Sequence, residues 1–306
     1  MPRITRMVIS DQPAVYHIVS RTVLSGYPLG AKEKDFLLKQ IKRLSKLYFA
    51  EIIGFCLMGD HFHLLVKMFP ATDFSESSIR KRCRRHYGDD YTIPKDRLPL
   101  IREKLASLSE FVKDVKIHLT RYYNRHYNRR GFFWAERFKS VIVEAGAALV
   151  NCLVYIDLNP LRAGIVKKPE DYRWVSIGYH IQTNNKDNFL STDFGFEEFN
   201  ARSQKERVRR YRNYMYNAGS IDRPGKVIDP RQLIREKKRG VEITQAGRLR
   251  YRNRYFTDSG IIGSEAFVST HYQRFKHHFT CKHEKKPKPI QGLSGIYSMK
   301  RLSELI

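Results

Sequence analysis

The apolar positions in the first half of the chain switch between two periods. Ala14 to Thr22 (AVYHIVSRT) is rich in β-branched and aromatic residues and predicts a strand. From Ala31 to Leu47 the apolar residues Phe36, Leu37, Ile41, Leu44 and Leu47 recur at helical spacings. Ala50 to Met58 (AEIIGFCLM) reads as an apolar strand, Gly59-Asp60 as a tight turn, and His61 to Met68 (HFHLLVKM) as the second strand of a hairpin. Leu105 to Tyr127 is again helical, with Leu108, Phe111, Val115, Leu119 and Tyr122 on one face and Gly131 as its left-handed cap. Phe133 to Glu144 contains a strand, SVIVE. Ala147 to Leu158 forms a short apolar helix stopped by Asn159-Pro160.

The order strand, helix, strand, strand, helix, strand, followed by one more helix, predicts an α+β fold of the ferredoxin-like, split-βαβ kind. Its sheet is antiparallel with helices on one face, which leaves the added helix for the other. Phe69 to Pro99 breaks the pattern with Pro70, Ser75, Ser77, Ser78, Gly88 and Pro94 around the cluster Arg80, Lys81, Arg82, Arg84 and Arg85. It predicts an exposed, basic, partly helical insertion over residues 69–99. From about Asn184 the composition shifts again. Residues 182–188 are polar, Lys205 to Arg212 is heavily basic, and Gly247 to Phe279 has a compact apolar set including Ile261, Ile262, Phe267, Val268 and Phe275. The expected division is a first domain of residues 1–183 and a basic, mainly helical extension of residues 184–306, in which GIIGSEAFVSTHYQRFK reads as a helix-turn-helix-like pair.

Charge narrows the partners. Lys and Arg number 57 against 31 acidic residues, a formal net charge of +26, which calls for a polyanion. Nucleic acid comes first and an anionic membrane surface second, since no apolar run approaches the roughly 18 residues of a membrane span. The opening Met-Pro-Arg-Ile-Thr-Arg has no apolar signal core. The expectation is a cytoplasmic, nucleoid-associated protein, monomer or homodimer. The four cysteines, Cys56, Cys83, Cys152 and Cys281, include no CxxC pair. Cys56 and Cys152 sit in apolar runs as small core residues. His277, His278, Cys281 and His283 lack a second spaced pair, so a basic DNA-contacting segment is favoured there over a zinc site.

Two short patterns carry candidate chemistry. In His61-Phe62-His63, strand alternation puts both imidazoles on one face, with their Cα atoms about 6.5–7 Å apart, and turns Phe62 to the other. Two polar residues on a solvated face would look the same, and a metal needs further ligands. Tyr155 and Asn159 lie four apart at a helix end and face the same way. A phenol with pKa near 10 is a poor nucleophile unless a metal polarises the phosphate it attacks. With 18 tyrosines in the chain, Tyr155 also reads as an ordinary packed ring.

The residues around these patterns carry a resemblance. GFCLMGDHFHLLVKM resembles the HUH strand of single-tyrosine transposases. GFFWAERFKSVIVE, followed by VYIDLNPLRAGIVKKPEDYRW, resembles the REP-associated tyrosine transposases, and Tyr16 to Thr22 is similar to their N-terminal YHVTSRG element. The likeness runs in order over residues 14–177. YFTDSGIIGSEAFV and GIYSMKRL are similar to extensions of some members. The resemblance implies that residues 1–183 form a single-tyrosine HUH catalytic domain. In it, His61 and His63 hold Mg²⁺ or Mn²⁺, Asn159 completes the metal site, and Tyr155 is the nucleophile that forms a 5′-phosphotyrosine with single-stranded DNA and frees a 3′-OH. Substrates of that family are REP-type hairpins with a short single-stranded element. Two positions depart from its pattern. Asp60 stands where Asn is common and either adds to the metal site or caps the turn; Thr22 stands where Gly is common.

Arg21, Arg137, Lys139 and Arg162 flank the expected centre and are candidates for phosphate contacts. Trp134 and Tyr172 are candidates for stacking on bases, with core packing the plain alternative for Trp134. Arg80 to Arg85 and Lys205 to Arg212 would add salt-sensitive affinity. Three rival readings stand beside a DNA-cleaving enzyme. A catalytically silent DNA-binding descendant would not need the four-residue set of His61, His63, Tyr155 and Asn159. A replication initiator or relaxase would not carry YIDLNPLRAG. An RNA-binding sheet would present aromatic platforms where this chain puts histidines.

Overall fold

The computed structural model describes residues 6–195, 201–219, 253–279, 284–290 and 292–300. Strands β1 (Ala14–Arg21), β2 (Ala50–Leu57), β3 (His61–Met68) and β4 (Lys139–Val143) form the antiparallel core in the order β2-β3-β1-β4. Helices α1 (Ala31–Leu47) and α2 (Glu76–Tyr87), then α3 (Leu98–Ala106) and α4 (Leu108–His126), follow in the chain, α4 lying against α1. Helix α5 (Ala147–Asp157) packs on the sheet next to β2. This is the expected ferredoxin-like arrangement. β1 is buried along both faces, with only Ile18-side and His17-side neighbours alternating, because it is central and covered from both sides.

Each helix follows from its sequence. The stripe Leu37, Ile41, Leu44 and Leu47 of α1 is fully buried, while Phe36 stacks on Tyr122 of α4 with centroids 4.1 Å apart. The helix expected from Leu105 is two helices, because Ser107 breaks the run and caps α4 by accepting from the Glu110 N–H, an N-cap with acid at N3. The left-handed residue directly past the end of α4 is Asn128, φ 47°, and Gly131, φ 92°, follows three residues later. Asn tolerates this region better than other side-chain-bearing residues. Asn159-Pro160 does not stop the chain's helical course after α5 outright. After Leu158 the chain turns again as α6 (Asn159–Arg162), since proline at the start of a turn gives up an N–H that would have no partner there.

One glycine sets how closely α5 approaches. A Cβ at Gly54 would stand 2.2 Å from Leu153 Cδ1 and 3.0 Å from Ser176 Oγ, and the register between β2 and β3 shifts at this point. The bare backbone there lets α5 sit against β2. The basic insertion is α2, α3 and their turns. Arg80 and Arg82 spend their guanidinium groups on the carbonyls of Ile93, Lys46 and Tyr48, whereas Lys81, Arg84 and Arg85 are exposed.

The residues after 184 do not stand apart from this fold. After helix α7 (Ser176–Thr183), helices α8 (Gln204–Gly219), α9 (Asn253–Asp258) and α10 (Glu265–Phe275) come with strands β5 (Ile261–Gly263), β6 (Lys288–Pro289) and β7 (Tyr297–Ser298). The strands extend the sheet to the order β2-β3-β1-β4-β5-β7-β6. β5 runs parallel to β4, pairing Ile142 with Ile261 and Val143 with Ile262, so the sheet is mixed rather than wholly antiparallel. The segment read as a helix-turn-helix is a strand leading into one helix: Ile261 and Ile262 are continuous apolar sheet residues, and Ser264 caps α10 by accepting from the Phe267 N–H. Ser264 in turn gives its hydroxyl to Glu144 at the end of β4, 2.9 Å away.

Candidate active site

β1 and β3 pair with Arg21 opposite His61, Val19 opposite His63 and His17 opposite Leu65. Since cross-strand partners share a face, His17, His61 and His63 lie on one side of the sheet and Phe62 on the other. α5 covers the histidine side and brings Tyr155 against it. The Tyr155 ring meets His63 edge-on at 5.7 Å and His17 at 5.9 Å. A cavity of about 410 Å³ is lined by His61, His63, Tyr155, Asn159, Arg137 and Lys139, among others.

The histidines are oriented by hydrogen bonds that fix their tautomers. His17 Nδ1 lies 2.7 Å from the carbonyl oxygen of Phe256, which can only accept, so Nδ1 carries the proton. Burial pushes the pKa of His17 down to about 4, which keeps the ring neutral, so its Nε2 is an acceptor. His63 Nδ1, 3.0 Å away, must therefore donate, and the lone pair of His63 is left on Nε2. Burial also holds His63 well below the usual histidine range, with His17 adding to the effect. His61 reaches the same state by another route: its Nδ1–H donates to Asp60 Oδ1 at 2.6 Å, leaving Nε2 for a ligand. Burial lowers His61 as well, against the opposing pull of Asp60. Asp60 also pairs with Arg21 at 3.4 Å. The Asp60 carboxylate thus orients His61, a role outside the two the sequence offered.

This arrangement fits a divalent cation. Metal-bound imidazoles characteristically donate their other N–H to a carboxylate, carbonyl or similar group, and both histidines do so here. Asn159 donates Nδ2 to the Tyr155 carbonyl at 3.1 Å, which leaves its side-chain oxygen as the third potential ligand. Among the described residues no group of three or more His, Cys, Asp and Glu side chains converges on one point; the donor set is two imidazoles and an amide.

Tyr155 is 5% exposed. Burial raises its pKa to about 12, opposed by the nearby Arg162. Arg162 stands 5.8 Å over the ring and donates Nη1 to the Tyr155 carbonyl at 3.4 Å. Phe256 of α9 stacks on the same ring at 5.2 Å with an interplanar angle of 21°. The extension thus supplies both a cover for Tyr155 and the carbonyl that starts the His17–His63 relay. α8 holds the same helix from behind: Tyr211 donates to Asp157 Oδ2 at 2.6 Å and Tyr214 to Asn151 at 3.0 Å.

Asp157 yields a stability prediction. Burial raises its pKa to about 7, against the hydrogen bonds from Tyr211 and Ser176 that lower it. The folded value lies above that of an unfolded aspartate, so the fold favours the protonated acid. This contribution is complete below about pH 4 and is lost as pH rises through about 7, by on the order of 4 kcal/mol. Chemical denaturation across that range should show wild-type stability falling relative to Asp157→Asn. Parallel curves for the two proteins would mean Asp157 stays ionised in the fold.

The residues expected at the site divide into two groups. Arg21, His61, His63, Arg137, Lys139, Tyr155 and Asn159 line one cavity, Lys139 through a pair with Asp258 at 2.9 Å, and Arg162 lies beside the nucleophile candidate. Trp134 and Tyr172 lie elsewhere. Trp134 packs edge-on against Phe62 at 5.4 Å and donates Nε1 to the Lys116 carbonyl, on the sheet face away from the histidines. Tyr172 is buried with its hydroxyl bonded to the Leu57 carbonyl at 2.6 Å. Tyr172 is therefore a core residue, and Trp134, half-buried, packs against the core, the plain alternative the sequence offered for it. In the basic helix α8, Arg212 is bound to Glu170, and Arg209 and Arg210 pair with Glu206. Of the histidine-rich tail, His277 and His278 form a helical turn, while Cys281 and His283 lie outside the described residues. No helix of the described residues is long and apolar enough to cross a membrane.

No family model matches the chain, and none of the curated proteins does. Among solved structures, the chain is similar to a REP-associated tyrosine transposase bound to a REP hairpin. The identity is 14%, the TM-score is 0.41, and the match covers 63% of this chain and 90% of the other.

Proposed function

We propose that the protein is a metal-dependent enzyme that cleaves and rejoins single-stranded DNA through Tyr155, acting at hairpin-associated sequences of the REP type. The observation that carries this reading is the convergence of His61, His63 and Tyr155 in one cavity, with both imidazoles neutral and their outer nitrogens already bonded. What a packed histidine would not require is that the unbonded Nε2 atoms of both rings be left free on the side of the sheet that faces the cavity. The sequence resemblance over residues 14–177 points to the same chemistry.

In the proposed reaction Tyr155 Oη forms a bond to the scissile phosphorus and the bond from phosphorus to the 3′ oxygen breaks. The phenol gives up its proton and the departing 3′ oxygen gains one, leaving a 5′-phosphotyrosine and a 3′-OH. Attack of a 3′-OH on that phosphotyrosine reverses the step and joins strands without an external energy source. When bound, Mg²⁺ or Mn²⁺ held by His61, His63 and Asn159 would supply the charge that stabilises the transferring phosphoryl oxygens. Arg21, Arg137 and Lys139 would hold the flanking phosphates, since phosphoryl transfer depends chiefly on positioning and charge neutralisation. The raised pKa of Tyr155 means that its phenol is protonated until substrate is in place.

The test is incubation with single-stranded oligonucleotides that contain a hairpin and its flanks, with Mg²⁺, Mn²⁺ or EDTA, followed by denaturing electrophoresis. A covalent protein–DNA band that requires the metal is the expected result. Tight binding with no such band under either metal would favour a silent DNA-binding protein, a reading that the burial of Tyr155 beneath Phe256 makes concrete.

A further inference from the structure

Two large aromatic rings stand in solvent on segments tied to the strand ends that carry Arg21 and His61. Tyr27 is 83% exposed and Phe132 is 86% exposed, although aromatic side chains ordinarily bury most of their surface. Both are anchored beside the end of β1. On one flank, the Leu29 N–H donates to the Gly59 carbonyl at 2.8 Å. A Cβ at Gly59 would lie 2.6 Å from Tyr27 Cδ1, so the ring rests on the bare backbone of the turn that leads into Asp60 and His61. On the other flank, the Val23 N–H donates to the Phe133 carbonyl at 2.9 Å, and the Ala135 N–H to the Arg21 carbonyl at 3.0 Å. This fixes the segment carrying Phe132 beside the same strand end. Arg21, Arg130 and Arg137 are exposed along this rim.

We propose that Tyr27 and Phe132 are stacking platforms for unpaired bases of the DNA strand entering or leaving the cavity. The inference rests on the reading that the substrate is single-stranded DNA. Exposed rings interleaved with guanidinium groups match the way single strands are held, with cations along the backbone and aromatic faces under the bases. A duplex offers no free base face except at its ends. The arginine rim and the net charge of +26 favour a polyanionic occupant of these rings over an apolar protein surface. The turn at Gly59 links the platform to the metal-ligand candidates, so a base seated on Tyr27 would set the position of the next phosphate relative to His61.

The experiment uses the full-length protein with Tyr155→Phe, in EDTA, so that neither cleavage nor metal enters the readout. Binding is followed by fluorescence anisotropy of a labelled single-stranded oligonucleotide and of a duplex of the same length. Tyr27→Ala and Phe132→Ala should each weaken single-strand binding about tenfold and leave duplex binding unchanged. An abasic position in the strand should cost wild type as much as the alanine substitution does, and cost the alanine variant little more. Tyr27→Trp should retain affinity, and its fluorescence should be quenched as the strand binds. Alanine variants with wild-type affinity, or equal losses for single strand and duplex, would overturn the proposal. If these rings prove to stack bases while the protein forms no covalent adduct, the cleavage reading fails and this one stands.

Discussion

Tyr155→Phe should abolish the covalent protein–DNA band while leaving single-strand binding within about twofold of wild type. The substitution deletes one oxygen and preserves every ring contact: the stack on Phe256, the edge contacts with His17 and His63, and the Arg162 guanidinium over the ring. At 5% exposure, the loss of a hydroxyl from so enclosed a place has no reason to unfold the protein, so a lost band reports chemistry. Thermal unfolding of the variant checks that point. The effect on adduct formation is expected to be complete, because no other hydroxyl can take over from a group that forms the bond. A band that survives in Tyr155→Phe would assign the nucleophile to another of the 18 tyrosines and remove the central element of the proposed function.

The second large effect concerns a residue remote from solvent. His17→Leu should weaken Mn²⁺ binding 10- to 100-fold, the range found when an outer partner of a metal-bound histidine is lost. The leucine removes the acceptor for His63 Nδ1–H. His63 is then free to place its proton on Nε2 instead, which removes the lone pair a metal needs. His17→Gln keeps an acceptor oxygen on a side chain of similar reach and should recover part of the affinity. Mn²⁺ titration followed by electron paramagnetic resonance reads the effect without any DNA. Thermal unfolding in EDTA separates it from general damage to the core, since His17 is fully buried. Equal Mn²⁺ affinities for wild type and His17→Leu would mean that His63 is oriented by packing alone.

The arrangement places the extension inside the chemistry. Phe256 provides the carbonyl for His17 and the ring over Tyr155, and Thr257 lines the same cavity. Phe256 helps to bury the Tyr155 ring while Tyr155 still lines the cavity. Residues that look like an appendage by composition thus bear on whether the nucleophile is covered.

Much of this was legible along the chain. The alternation through HFHLLVKM put His61 and His63 on one face and Phe62 on the other. The helical spacing of Tyr155 and Asn159 put them one turn apart, and the apolar stripe of α1 gave its limits to the residue. These are local properties: strand and helix periods follow from backbone geometry, and a burial stripe shows in the order of side chains. His17 stood in the same reading, in Tyr16-His17-Ile18, but without a role. Its role depends on pairing with β3 and on a carbonyl 239 residues away, and neither register nor a contact at that distance is written in local periodicity. The same limit applies to Trp134 and Tyr172. Their sequence neighbours suggested the site, yet a two-faced sheet put one behind it, and a hydrogen bond to Leu57 buried the other.

The sequence by itself determined the periods, the elements they make and the residue types able to bind a metal or attack a phosphate. Tertiary structure alone decided which of those residues meet, how their imidazole protons are arranged, and that β5 adds in parallel to β4. It also decided that Tyr27 and Phe132 stand in solvent while Tyr172 is buried. The physical reason is that periodicity tells a side chain which way to point from its own element. Burial, tautomer and exposure depend on what another element, distant in the chain, brings to the other side.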